Sequence, residues 1–329
     1  MTPSRRGFLR VTAGAAALPL LDRAARAQAQ TQAWPARPIH IVVGFAAGGG
    51  QDMIARLMAQ WLSDKLGQPV IVENRPGAGG NIATEAVVRA APDGYTLLLA
   101  FPSNAINATL YDNLSFNFIR DIAPVATIAY MPDVLVVHPS VPVQSVTELI
   151  IYAKANPRKL DMASAGNGTP SHVTGELFKQ TAGIDMVHVP YRGMAPALTD
   201  LIGGHVHVLF ASITASLGYI RAGKLRALAV TTATRADELP DVPPLSDSAP
   251  GFEDSIWYGL GATGGTPPAV VARLNREINA ALADQRIKAR LKALGATVMP
   301  GTPAGFAKLI AEETDKWADV VKRSGAKPD

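Results

Sequence analysis

Two glycine-rich loops constrain this chain more than any other feature. They are Phe45-Ala-Ala-Gly-Gly-Gly-Gln-Asp52 and Asn74-Arg-Pro-Gly-Ala-Gly-Gly-Asn81, and each stands between an apolar, strand-like run and a helix-like run. Such a loop leaves backbone N–H groups unpaired at the start of a helix, where the aligned peptide dipoles favour an anion. The pattern therefore predicts an anion-binding edge in an α/β protein.

Two later segments repeat this plan. Ser164 to Pro170 and Val189 to Gly193 each precede a helix-like run. Four helix starts facing one cleft would bind a carboxylate without needing a catalyst. The loop glycines have a simpler reading, in which they only permit turns with positive φ. Because the loops recur, we favour the reading in which a ligand closely approaches their backbone.

The start of the chain has the features of a twin-arginine export signal. Ser4 to Arg10 is basic with paired arginines, Val11 to Leu21 is apolar, and Ala25 to Ala29 is rich in small residues. A basic tail or a membrane anchor is the alternative, but the apolar run is far shorter than the ~20 residues that span a bilayer. We predict export to the periplasm, with residues 1–29 removed by cleavage near Ala27 or Ala29.

The net charge belongs to that segment. Residues 1–29 contain five arginines and one aspartate, which leaves +4, equal to the formal charge of the whole chain. The rest is near neutral, so nothing in it suggests nucleic acid or an anionic membrane surface as a partner. The chain has no cysteine, which excludes disulfides, zinc-thiolate sites and thiol catalysis.

Alternating strand and helix signals predict an α/β architecture with two lobes. The 329 residues are 48 % hydrophobic, which is ample for two cores. Ile39 to Phe45 is strand-like, and the apolar residues that follow recur at helical spacing. This order is typical of the beginning of a doubly wound α/β fold. In such folds, ligands bind at the carboxyl ends of the strands. A proline-rich stretch, 239–251, is too irregular for an element and suits a boundary. We assign 34–130 plus 252–329 to the first lobe and 131–251 to the second.

Several motifs resemble one known family. They are residues 38–52, 72–81, 163–172, 188–193, 223–230 and 257–262, together with the twin-arginine leader. Their sequence, order and spacing resemble the Bug family, the extracytoplasmic solute receptors of tripartite tricarboxylate transporters. The resemblance implies a type II periplasmic-binding-protein fold, in which two α/β lobes joined by two crossing strands close on a small carboxylate. It also implies membrane permease subunits as partners, a monomeric receptor, and neither cofactor nor metal.

The resemblance further implies a binding site built from loops of both lobes, in which backbone groups and ordered water hold one carboxylate. The first lobe would contribute Phe45, Ala47, Gly48, Gly49, Asp52, Pro76, Gly77, Ala78, Gly79, Asn81, Ser103 and Ala105. The second lobe would contribute Ala165, Gly166, Asn167, Thr169, Ser171, Tyr191 and Arg192.

Two departures from the family pattern concern the distal end of the ligand. Gln51 occupies a position that is often threonine, and 206–211 lacks the acidic residues often found in that strand. Asp52 has two open readings, a charge at a helix terminus or a ligand acceptor in the cleft. Exposure is the commoner outcome for an arginine such as Arg192, and Tyr191 also has a reading as a core residue.

Enzyme readings find little support in the sequence. Gly259 to Gly264 fits G-x-G-x-x-G, but too few strands can follow it for a dinucleotide-binding unit. His205 and His207 could face one way, yet no neighbouring carboxylate completes a metal set. Ser171 and His172 are helix neighbours that point to different faces. We therefore predict a periplasmic receptor that delivers an organic acid to a permease; the alternatives are a ligand-presenting sensor and an exported enzyme.

Overall fold

The computed structural model describes residues 34–250, 252, 254–324 and 326–328. The predicted signal segment, 1–29, lies outside the described residues. Within the described part of the chain, no helix is both long and apolar enough to cross a membrane.

Strands and helices alternate along the described residues. The strands are β1 (Ile39–Val43), β2 (Val70–Asn74), β3 (Thr96–Ala100), β4 (Ile122–Met131), β5 (Asp133–Val137), β6 (Asp161–Ser164), β7 (Val187–Pro190), β8 (Val208–Ser212), β9 (Arg226–Val230), β10 (Ile256–Thr263) and β11 (Thr297–Val298). The helices are α1 (Gly50–Leu66), α2 (Asn81–Val88), α3 (Pro102–Leu110), α4 (Phe118–Asp121), α5 (Val146–Ala155), α6 (Pro170–Ala182), α7 (Met194–Ile202), α8 (Ile213–Arg221), α9 (Pro268–Ala283), α10 (Gln285–Ala293) and α11 (Pro303–Ser324).

The strands form two sheets, each covered by helices on both faces. The first sheet has the order β11-β4-β10-β3-β1-β2, and the second has the order β7-β6-β8-β5-β9. β1 lies parallel to β2 and β3, and β6 lies parallel to β7 and β8. Each sheet has an apolar cluster on either face, so the chain buries two cores. This is the predicted α/β architecture with two lobes.

The chain crosses between the sheets twice. Pro132 alone separates β4 of the first sheet from β5 of the second, and the chain returns between β9 and β10. After β3, Ser103 contacts Gly168, which follows β6. The carboxyl ends of strands in the two sheets therefore face each other across the crossings, and the loops at these ends form the walls of a cleft.

The helix after the first loop has the predicted apolar face. Five residues on one side of α1 are buried in the first core: Ile54, Leu57, Met58, Leu62 and Leu66. Trp61, on the same predicted stripe, is only partly buried, and its indole Nε1 donates to the carbonyl of Glu277 on α9 at 2.9 Å. The helical spacing read from the sequence thus fixes which side of α1 faces the sheet.

The proline-rich stretch 239–251 has more structure than its sequence predicts. Leu245 to Asp247 forms a 3-10 turn, and Leu245 is fully buried in the second core. The N–H of Val230 donates to the carbonyl of Pro243 at 2.9 Å, so the stretch continues from the edge of the second sheet. The burial of Leu245 in the second core therefore orders a segment whose local sequence predicts no regular structure.

The glycine pattern at 259–264 serves strand packing. Gly259 and Gly261 lie within β10, where a Cβ on Gly259 would overlap the ring of Phe306, and a Cβ on Gly261 would overlap Ile122. A Cβ on Gly264 would lie 2.9 Å from the carbonyl oxygen of Asp121. These glycines allow close packing of helices and loops on an antiparallel strand.

Replacing Gly259 by alanine should therefore destabilise the first lobe. Phe306 is fully buried and packs edge-on against Trp257 at 5.7 Å, so its ring cannot move away cheaply. We expect Gly259→Ala to lower the free energy of unfolding in urea by about 1–3 kcal/mol. The control is Gly218→Ala, in an exposed part of α8 with nothing within 4 Å of the new Cβ, which should stabilise by about 0.5–1 kcal/mol. Equal stability of the Gly259 variant and the parent would contradict this packing argument.

Candidate functional site

The first glycine-rich loop joins β1 to α1 without a side-chain cap. Gly49 is the N-cap residue, in extended conformation, and no side chain accepts a hydrogen bond from the first turn there. Ala47, Gly48 and Gly49 are exposed, whereas Phe45 is half-buried. The N-terminus of α1 thus presents backbone N–H groups at the carboxyl end of β1, as the sequence predicts.

Asp52 braces this loop from the first turn of α1. Its side chain is 4 % exposed, and Oδ2 accepts hydrogen bonds from the N–H of Gly48 at 3.0 Å and from Nε of Arg56 at 2.9 Å. Burial pushes the pKa of Asp52 upward, but the hydrogen bonds from Arg56 and Gly48 outweigh it and hold the pKa below its ordinary value. These contacts favour the helix-terminus reading; a direct ligand contact by Asp52 stays a prediction.

The second glycine-rich loop depends on left-handed backbone. Four consecutive residues, Gly77 to Gly80, have positive φ, and three of them are glycine. Nδ2 of Asn107 on α3 donates to the carbonyl of Gly79 and to Oδ1 of Asn81, each at 3.0 Å. A Cβ on Gly79, where φ is +62°, would lie 2.9 Å from the same Asn107 nitrogen. Glycine is therefore needed at 79 for its conformation and for the close approach of α3.

The two loops abut at a pair of glycines. A Cβ on Gly44 would lie 2.8 Å from Cα of Gly80, so only hydrogen atoms fit between the two backbones. The ring of Phe45 packs edge-on against Phe101 at 4.9 Å, next to the start of α3. The structure thus brings the predicted first-lobe residues to one edge, with an exception: Ala105 is fully buried in the core that α3 forms with the sheet.

The predicted second-lobe segments are hydrogen-bonded to each other. The N–H of Gly193 donates to the carbonyl of Ala165 at 3.0 Å, and the N–H of Ala165 donates to Oγ of Ser171 at 2.9 Å. Oγ1 of Thr169 donates to the carbonyl of Gly166 at 2.6 Å. Loops 165–171 and 191–193 therefore form one unit at the carboxyl ends of β6 and β7.

The two side chains of the Tyr191–Arg192 pair have different settings. Tyr191 is half-buried, and its hydroxyl donates to Oδ2 of Asp200 at 2.7 Å. Burial and this hydrogen bond raise the pKa of Tyr191 to about 12. Arg192 is exposed. The tyrosine hydroxyl is thus engaged within the second lobe, while the guanidinium remains at the surface.

A stacked histidine pair supports the second-lobe loop. The rings of His172 and His188 lie parallel at 3.9 Å, and Nε2 of His188 is 2.7 Å from Oγ of Ser164. Nδ1 of His172 accepts a hydrogen bond from the N–H of Gly168 at 3.2 Å, which requires that nitrogen to be unprotonated. Burial, with smaller contributions from His188 and Lys179, lowers the pKa of His172 to about 3. Sequence reasoning missed this pair, because the two histidines are adjacent only through the pairing of β6 with β7.

Ser171 and His172 do not form a nucleophile–base pair. Ser171 accepts from Ala165, and His172 accepts from Gly168, so the two side chains have separate partners, as predicted. His207 also has a structural partner, since its Nδ1 accepts from the N–H of Asp161 at 3.0 Å. Among the residues that the structure describes, no group of three or more acidic or histidine side chains could hold a metal ion.

The lobes touch across the cleft at this loop. Oγ of Ser103, at the start of α3, donates to the carbonyl of Gly168 at 3.3 Å. Beside the contact, a cavity of about 10 Å³ lies between Phe45, Phe101 and Asn104, which is room for about one water molecule. A larger cavity of about 730 Å³ lies at the crossings, lined by Tyr130, Trp257 and the end of α10. We place the site at the loops, because the uncapped helix starts converge there and the larger cavity has none of them.

Acidification should weaken the second lobe through His172. Its pKa is lower in the folded protein than in the unfolded chain, so the native state binds fewer protons and loses stability as pH falls from 6.5 to about 3. We expect His172→Asn, which keeps an acceptor for Gly168, to remove up to about 1.4 kcal/mol per pH unit of this dependence. Urea unfolding across this range measures it. If the His172 variant depended on pH as steeply as the parent, His172 would be excluded as the source of this dependence.

Comparison with known proteins agrees with this geometry. The family model for TctC, the tripartite tricarboxylate transporter family receptor, matches residues 54–326. Protein BugT of Bordetella pertussis is 39 % identical over 297 residues, which are 89 % of this chain and 91 % of that protein. Among solved structures, R. palustris Rpa4515 with adipate has a TM-score of 0.85 and 38 % identity, and the match covers 90 % of this chain and all of that one.

A second solved structure is similarly close. MatC (Rpa3494) from Rhodopseudomonas palustris with bound malate has a TM-score of 0.81 and 35 % identity, covering 88 % of this chain and 100 % of that one. The two sheets with their double crossing are the type II periplasmic-binding-protein fold that the motifs predict. The chain therefore belongs to the tripartite tricarboxylate transporter family of receptors.

Proposed function

We propose that this protein captures a small organic carboxylate between its two lobes in the periplasm and delivers it to the membrane permease subunits of a tripartite transporter. The observation that carries the proposal is the convergence of uncapped helix starts and glycine loops at Gly44 and Gly80. Backbone N–H groups at helix N-termini bind carboxylates without a counter-charged side chain. The adipate and malate bound in the two solved relatives support this ligand class.

The two lobes have different roles in this proposal. The first-lobe loops, 45–52 and 76–81, hold the carboxylate common to all ligands, and loops 165–171 and 191–193 close over it. The Ser103–Gly168 contact is then part of the closed form, and the lobes rotate about the crossings near 131 and 252 to admit the ligand. Binding is without chemical change, the receptor is a monomer, and neither metal nor cofactor takes part.

A carboxylic acid should stabilise the purified protein lacking residues 1–29. The acid binds the folded state alone, so at about 100 times its dissociation constant it should add roughly 2.7 kcal/mol. A thermal-melting screen over mono-, di- and tricarboxylic acids measures this, with sugars and metal salts as controls. The bound acid should be recovered unchanged. If a sugar or a metal raised the midpoint and no acid did, the proposal would be wrong.

Gly79→Val should abolish binding of every acid in that screen. Valine at φ +62° costs about 1–3 kcal/mol of backbone strain, and its Cβ displaces Asn107 from the loop. The matched control is Gly183→Val, which meets the same φ of +62° at the far end of α6 with nothing within 4 Å. Both variants should carry the same backbone strain, but only the Gly79 variant should lose binding by calorimetry. Normal binding by the Gly79 variant would place the second loop outside the site.

We further propose export by the twin-arginine route. Changing Arg5 and Arg6 together to lysine keeps the charge and hydrophobicity of the leader but removes the paired arginines. Precursor should then accumulate in the cytoplasm, as measured by cell fractionation and immunoblotting. Normal delivery of this variant would indicate the general secretory route instead.

A further inference from the structure

An aspartate stands at the first crossing between the lobes. Asp133 opens β5 directly after Pro132, and its Cα partner on β8 is Ser212, the last residue of that strand. Asp133 therefore lies at the end of the second sheet where β6 and β8 finish. This is the end that carries the loop 165–171, so Asp133 belongs to the floor between the two walls of the cleft.

The carboxyl group of Asp133 has no hydrogen-bond partner among the described residues. The residue is 1 % exposed, and both carboxyl oxygens are buried and unpaired. The two other buried aspartates of the described residues each have donors: Asp52 accepts from Gly48 and Arg56 at Oδ2, with only its Oδ1 unpaired, and Asp254 accepts from Thr174. A buried carboxyl without a donor is costly, so a group that supplies the missing donors would bind there favourably.

The charged neighbour of Asp133 is a second buried aspartate, which is itself paired with a lysine. Asp254, on the second crossing, is 3 % exposed; its Oδ1 is 3.3 Å from Nζ of Lys316. Burial, and next the charge of Asp254, raise the pKa of Asp133 well above its ordinary value. A carboxylate of a ligand would meet the same burial and the same repulsion, whereas a cation would stabilise the ionised form of Asp133 and lower its pKa again.

Tyr258, on β10 of the first sheet, is the first-lobe residue next to Asp133. The Tyr258 hydroxyl is 3.7 Å from Sδ of Met131, two residues before Asp133. Burial, and next the charge of Asp133, raise the pKa of Tyr258. The Tyr258 hydroxyl is 3.5 Å from the position of a Cβ on Gly50, the first residue of α1. Asp133 and the uncapped start of α1 are thus both neighbours of the same tyrosine. A small molecule bound here would meet the carboxyl group of Asp133 as an acceptor and the backbone N–H groups of α1 as donors.

We propose that Asp133 is the specificity-determining residue of the cleft and that it binds the ammonium group of a zwitterionic ligand, an amino acid. The glycine loops hold the carboxylate of that ligand, and the ammonium supplies up to three donors and the opposite charge to Asp133. This inference rests on the proposed function, because it requires a carboxylate in the cleft. It adds the chemistry of the second group.

The test compares matched ligand pairs that differ only in the ammonium group. Glutamate with glutarate, aspartate with succinate, and phenylalanine with 3-phenylpropionate are titrated by calorimetry into the parent protein and into Asp133→Asn. We expect the parent to prefer an amino acid to its partner without nitrogen. Asp133→Asn should lower the affinity for each amino acid by about 10–100-fold. The affinity for the partner acid without nitrogen should change by less than about threefold, because only the ammonium group interacts with the charge of Asp133.

Two further variants keep the result interpretable. Asp133→Ser, which removes the charge from a smaller side chain, should show the same loss if the asparagine variant folds poorly. Asp93→Asn alters a half-buried aspartate that pairs with Arg37, before β3 and away from the cleft, and this variant should bind both members of each pair like the parent. Circular dichroism confirms that each variant is folded.

The outcomes separate the two proposals. If dicarboxylates bind and no amino acid is preferred, or if Asp133→Asn keeps the preference, the role of Asp133 is overturned while the carboxylate receptor stands. If neither member of any pair, nor any acid of the melting screen, binds the parent, the receptor function itself fails, and the assignment of Asp133 fails with it.

Discussion

The close approach of Gly44 to Gly80 is the constraint on which the first half of the site depends. The parallel pairing of β1 with β2 brings the two loops to one edge, but only residues without side chains let the backbones meet there. Asn107 then fixes the second loop through two hydrogen bonds from one nitrogen. The N-termini of α1 and α2 are held side by side as a result, so their backbone N–H groups can act on one ligand group together.

The second half of the site is held by a different device. His172 accepts a hydrogen bond from the N–H of Gly168. The carbonyl of Gly168 accepts one from the hydroxyl of Ser103, which belongs to the opposite lobe. A neutral imidazole in α6 is thus linked through one glycine to α3. Because protonation of His172 would remove the acceptor, burial of the histidine also preserves the orientation of this loop toward the first lobe.

Sequence reasoning succeeded where the signal is local. The apolar stripe of α1 and the two glycine-rich loops between strand and helix depend on residues a few positions apart. It did not find the His172–His188 stack or the unpaired carboxyl of Asp133, because both depend on strand pairing between distant segments. It also placed Ala105 in the site, whereas the helical twist of α3 turns that residue into the core. Spacing predicts a helix, but the direction of each side chain follows from what the helix packs against.

The two crossings give the cleft an asymmetry that the loops alone do not have. Backbone N–H groups recognise any carboxylate, so they provide affinity with little selectivity. Selectivity requires side chains, and a side chain at a crossing is near the ligand whatever the angle between the lobes. Oδ1 of Asp254 pairs with Lys316, and its Oδ2 accepts a hydrogen bond from Thr174. Asp254 therefore joins α11 of one lobe to α6 of the other. Asp133, on the neighbouring crossing, has a carboxyl group of the same kind with neither partner. Of the two buried aspartates at the crossings, one is therefore committed to joining the lobes, and the other has no partner among the described residues, which is why we propose it as the residue that selects the ligand.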